Sequence, residues 1–89
     1  MSGGAMAGRV PLSDPLALLC IMQNLGLTRR DQASTVEDLS SRSGFSLDRV
    51  RSALTSLVAD GSVVEVTTDK WTGYYVTAKG ILTAMSFFS

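Results

Sequence analysis

The 89-residue chain has no histidine and a single cysteine, Cys20. Without histidine it lacks the commonest general base and the commonest metal ligand. One thiol permits neither an internal disulfide nor a thiolate cluster for zinc. No catalytic residue, metal site or cofactor is therefore expected. Charge is also scarce, at 18% of residues against about 25% in an average soluble domain. Eight basic side chains balance eight acidic ones, which excludes a simple polycation that coats nucleic acid. Long apolar runs are absent too: the longest, Leu16 to Met22, has seven residues where a membrane span needs about 20. The N-terminus lacks the charged-then-apolar layout of a secretory signal, so a cytoplasmic location is expected.

What is present is a 45% apolar sequence of one domain's length. Residues 1–11 are glycine-rich and aperiodic and read as a flexible segment, leaving 12–89 as a single domain. Asp14 is expected to cap a first helix over about 15–25, with Pro15 suited to its first position and Gly26 to its end. That helix is apolar over most of its circumference, the pattern of an element buried centrally or covered by both its own core and a neighbour. Ser34-Thr35-Val36-Glu37 has capping-box spacing, with Thr35 to Asp38 offering the same one residue later. A short second helix follows over about 35–43, and Gly44 permits a tight turn. Ser46 then caps a third helix over about 46–60. Its inward stripe is Leu47, Val50, Leu54, Leu57 and Val58. Asp48, Arg49, Ser52, Ser56 and Ala59 fall on the opposite face, with Arg51 on the flank.

The period then changes. Val63 to Thr68 and Tyr74 to Thr77 read as two strands of an antiparallel hairpin, spanning 63–77, with a polar tip that holds Lys70 and Trp71. Thr77 can cap a closing helix over about 78–88. The fold class is thus α+β, mainly α, and the second helix, Gly44 turn and third helix have helix-turn-helix proportions.

A hairpin directly after the third helix resembles the winged helix-turn-helix family, especially small prokaryotic and archaeal regulators such as the multiple-antibiotic-resistance regulators. The resembling residues are Leu54 to Val64, followed by a Tyr-x-x-Thr-x-Lys-Gly pattern at Tyr74, Thr77, Lys79 and Gly80. The resemblance implies a three-helix core, a C-terminal hairpin wing and a closing helix. It further implies double-stranded DNA as partner, with the third helix in the major groove and a role as transcriptional regulator. Carried onto this chain, it puts Ser46, Arg49, Ser52 and Ser56 toward the groove and Arg42 and Arg51 near phosphates. Thr67, Thr68, Lys70 and Trp71 would form the wing contact.

Plainer readings stand beside these. Arg49 and Arg51 could pair with neighbouring acids, Trp71 could shield the hairpin by packing on Tyr74 or Tyr75, and Cys20 reads as a core filler. Asp31, Glu37 and Asp38 read as turn and cap residues. The apolar first helix and the Phe87-Phe88 tail favour a homodimer through the first and last helices. So short a chain leaves little room for a sensor, and no small-molecule effector is expected. The alternative function is a protein–protein module within a transcription or replication assembly, without direct DNA reading.

Overall fold

The computed structural model describes residues 13–87, with backbone only at Phe87. The segment 1–11 expected to be flexible, Phe88, and the side chain of Phe87 lie outside the described residues.

Helix α1 spans Asp14–Asn24. Its cap is Ser13, whose hydroxyl accepts the Leu16 N–H at 3.4 Å, and not the expected Asp14. Both residue types can cap; here Asp14 has already entered the first turn, where its carboxylate serves another partner described below. The helix ends as the glycine predicts: Gly26 is left-handed, and the Leu27 N–H returns to the Met22 carbonyl at 3.1 Å. A 3₁₀ turn over Arg30–Gln32 follows.

Helix α2 spans Val36–Ser43, and the second of the two possible caps is used: the Thr35 hydroxyl accepts the Asp38 N–H at 3.1 Å. Left-handed Gly44 closes it, and the Ser40 hydroxyl donates to the Phe45 carbonyl at 2.6 Å, fixing the turn. Ser46 caps helix α3, Leu47–Ala59, by accepting the Arg49 N–H.

Strands β1 (Val63–Thr67) and β2 (Thr72–Val76) pair antiparallel, with Val63 opposite Val76 and Thr67 opposite Thr72. The ladder thus reaches two residues nearer the tip on β2 than the sequence suggested. Thr68 explains this: its backbone N–H bonds the Trp71 carbonyl at 2.8 Å, and its hydroxyl accepts from the Lys70 and Trp71 N–H groups. The far edge of β2 is covered as well. Ser34 and Tyr74 exchange both backbone hydrogen bonds, and the Val76 N–H bonds the Leu27 carbonyl at 2.7 Å. Helix α4 spans Ala78–Phe87.

Helix α1 lies at the centre, packed against α2, α3, α4 and β2, with Leu18, Leu19 and Met22 wholly buried. Of the two explanations for its apolar circumference, central burial holds. Just past its end, Leu25 is 40% exposed. Val50, Ala53, Leu54 and Leu57 of α3 complete the core with Leu39, Val63, Val76 and Ala84. Leu47 and Val58, expected inside, sit at the margin of the stripe and are 39% exposed, while Ala53 takes a core position.

The Tyr-x-x-Thr-x-Lys-Gly pattern now has a physical meaning. Thr77 accepts the Gly80 N–H at 3.1 Å and donates to the Gly61 carbonyl at 2.6 Å. Lys79 donates its ammonium to the Asp60 carbonyl, at the end of α3. Gly80 packs so closely on the Ser62 backbone that any side chain there would collide with it. Together these residues join the end of α3 to the start of α4.

Candidate nucleic-acid interface

The outward face of α3 is small and polar. Asp48, Ser52, Thr55, Ser56 and Ala59 are exposed along it, and the hydroxyls of Ser52 and Ser56 bond no described residue. Thr55, overlooked in the sequence, lies nearer the centre of this face than Ser56 does. Its hydroxyl donates to the Arg51 carbonyl at 2.9 Å. Ser46 is exposed at the N-terminal end of the same helix, with its hydroxyl engaged in capping.

The two arginines stand on opposite flanks of α3. Arg49 turns toward α1 and grips Asp14 with two hydrogen bonds, Nε to Oδ2 at 2.9 Å and Nη2 to Oδ1 at 2.7 Å. Its guanidinium also lies 4.2 Å from the centre of the Phe45 ring. The hydrogen bond from Arg49 holds the Asp14 carboxyl below its ordinary range, and Asp14 in turn raises Arg49. Arg51 turns toward the sheet, 3.8 Å from Asp48. Arg42, on α2, is held by Asp38 at 3.2 Å. So Arg42, Arg49 and Arg51 all face an acid, and the helix-turn-helix surface is close to neutral.

A cleft of about 450 Å³ separates α2 and α3 from the sheet, lined by Val36, Arg51, Leu54, Val58, Glu65 and Tyr74 among others. On its wall the Tyr74 hydroxyl donates to Glu65 Oε2 at 2.8 Å; burial, then this bond, push the phenol up to about 12.

The hairpin end has a different balance. Thr67, Thr68, Lys70 and Trp71 are exposed there, with Asp69 beside them. The Trp71 ring sits against Gly73, where any β-carbon would meet it at 2.5 Å, so a glycine underlies the ring that the sequence would pack on Tyr74 or Tyr75. Across a second cleft of about 460 Å³, Trp71 and Thr68 face Arg30 and Asp31 of the 3₁₀ turn. Among the described residues, Lys70 and Arg30 are the cations with no ion pair and no hydrogen bond from the side chain. Arg30 was not legible as a neighbour of the hairpin, because the sequence places it some 40 positions from the tip that the Ser34–Tyr74 bridge brings near it.

No protein-family model and no curated protein matches the sequence. Solved structures do match. The DNA-binding TubR fragment from Clostridium botulinum superposes with a TM-score of 0.75 at 19% identity, over 89% of this chain and 99% of that one. TubR from Bacillus megaterium pBM400 gives 0.76 at 16% identity, over 97% and 93%. F-93 of SSV1 gives 0.64 at 22% identity, over 86% and 84%. The chain has the winged helix-turn-helix fold. At these identities the likeness establishes the winged-helix architecture expected from the order of elements, and function must be argued from the site. None of these three carries the name of a multiple-antibiotic-resistance regulator, so the likeness to that branch rests on the motif around Tyr74–Gly80. No helix among the described residues is long and apolar enough to cross a membrane.

Proposed function

We propose that this winged helix binds double-stranded DNA as a transcriptional regulator, with α3 in the major groove and the β1–β2 hairpin as its wing. One observation carries the reading: the outer face of α3 is exposed, polar and built of short side chains, and a hairpin follows it directly. Short hydroxyl residues let a duplex backbone approach closely and can donate to phosphate. The DNA-binding TubR fragment, named as such, has the same architecture and supports the reading. In this reading Ser52, Thr55 and Ser56 face the groove beside Arg49, with Ser46 at the helix start. Arg42 and Arg51 meet phosphates, and Thr67, Thr68, Lys70 and Trp71 touch the backbone beside the groove. No catalytic or small-molecule role is assigned, and the protein acts in the cytoplasm.

Because the arginines of α3 are already paired, one copy makes few net phosphate contacts. A homodimer doubles them, and α4, with Leu82 67% exposed, supplies the apolar face for it. The test is electrophoretic retardation of duplex DNA at low salt beside light scattering. Retardation at micromolar protein and a mass of two chains are expected. Folded protein that leaves duplex unshifted at tens of micromolar overturns the proposal.

A further inference from the structure

We propose that the cleft between the 3₁₀ turn and the hairpin tip binds single-stranded nucleic acid, with an unstacked base against Trp71 and neighbouring phosphates on Arg30 and Lys70. This goes beyond the duplex reading and uses residues outside α3.

Three observations meet at this cleft. Trp71 is 41% exposed, and Gly73 backs its ring, so the indole is a supported platform and not a loose side chain. The cleft wall is otherwise apolar through Val66, with the hydroxyl-bearing Thr68 beside it. At its rim stands Arg30, a cation without an acidic partner among the described residues, while Lys70 precedes Trp71 on the exposed turn, likewise unpaired among them. An apolar cleft with an aromatic wall and free cations fits a flat-faced anion. A nucleotide has that chemistry only when its base leaves the stack. Duplex DNA offers phosphates and groove edges but hides the base faces, so it would satisfy Arg30 and brush the edge of the indole while leaving its face unused. Asp31 is the one acid on the cleft; Arg29 stands 3.8 Å from its carboxylate and partly offsets it.

The chain's one tryptophan is Trp71, so its fluorescence reports the cleft directly. Titration of the intact protein with an oligothymidylate at low salt is expected to quench that emission. Two phosphate contacts give a slope of about −1.4 in log K against log[salt]. Arg30→Ala, which breaks no ion pair and keeps the fold, is expected to reduce that slope to about −0.7 and weaken binding. Trp71→Ala, followed with a labelled strand by anisotropy, is expected to weaken it roughly 5- to 150-fold. Trp71→Phe, which keeps a ring on Gly73, retains most of the affinity, and Asp31→Asn tightens binding.

Unquenched emission in the presence of the strand overturns the proposal, as does an Arg30→Ala protein that binds like the parent. Equal quenching by a duplex of the same length also overturns it, in favour of a plain backbone contact. So does equal affinity for a mononucleotide, which cannot reach two cations. Loss of duplex retardation with strand quenching intact would sink the groove reading and leave this one standing.

Discussion

Asp14 and Arg49 are 35 positions apart, yet they share the best-formed ion pair of the described residues, closed by two hydrogen bonds under 3 Å. The pair decides how much positive charge α3 can offer. Both groups are about half exposed, and such pairs contribute little to stability in water. What the pair changes is availability: a phosphate approaching α3 must compete with Asp14 for Arg49. Asp14→Asn is therefore expected to tighten non-specific duplex binding by up to about fivefold, the range of an exposed pair, with little change in unfolding midpoint. Fluorescence anisotropy on random-sequence duplex measures the first and denaturant unfolding the second. Weaker binding instead would mean that Asp14 aims the guanidinium at the groove. The direction of the Asp14 shift also sets the pH window. Its folded-state pKa is depressed, so the pair's stabilisation is present above about pH 4, the unfolded carboxyl range, and fades as pH falls through the lower folded value.

At the scale of elements, the sequence was most legible where the chemistry is local. Thr35, Gly44 and Ser46 each cap or close a helix as their residue types dictate, because a cap depends on neighbours three positions away. Ser13 and Asp14 are adjacent and both competent, so local chemistry could not rank them. Nor could it foresee Asp14 with Arg49, a tertiary contact. The hairpin and closing helix were legible through the Tyr74–Gly80 motif, whose residues turn out to serve the joint between α3 and α4. Gly80→Ala is accordingly expected to destabilise the fold by about 1–3 kcal/mol, because its β-carbon has no room against Ser62 and Val76. A shift of the urea midpoint at unchanged slope checks it. Within the hairpin, Glu65 and Tyr74 stand directly opposite in register. Raising the phenol to about 12 means that the neutral form is favoured in the fold. Stability is then full below about pH 10, the unfolded tyrosine value, and falls as pH rises toward 12. Tyr74→Phe is expected to flatten that alkaline loss in denaturant titrations.

The whole molecule is electrically balanced, eight charges against eight, and the described arginines of the helix-turn-helix are locally neutralised. Composition could exclude a polycation but could not show where free charge remains; in the folded chain Arg30 and Lys70 have no side-chain partner among the described residues. This distribution argues for a particular strength of DNA binding. A single copy that offers about three or four phosphate contacts has a log–log salt slope near −3 and affinity in the roughly 10⁻⁴–10⁻⁶ M range of non-specific complexes. On the proposed duplex reading, useful occupancy then requires two copies acting together or tethering to other DNA-bound proteins, since joining two such sites multiplies their affinities as far as geometry permits. A slope near −6, about twice the single-copy value, is the expected signature of a dimer on duplex DNA. Replacing exposed Leu82 with a charged residue (Leu82→Glu) tests whether α4 joins the copies: its position on the outer surface spares the core. The variant is expected to run as one chain by light scattering, to keep its helical circular dichroism, and to return the slope to about −3. If the variant stays dimeric, α4 is not the contact. If the parent slope is already near −3 with a two-chain mass, only one of the paired helix-turn-helix units meets the DNA.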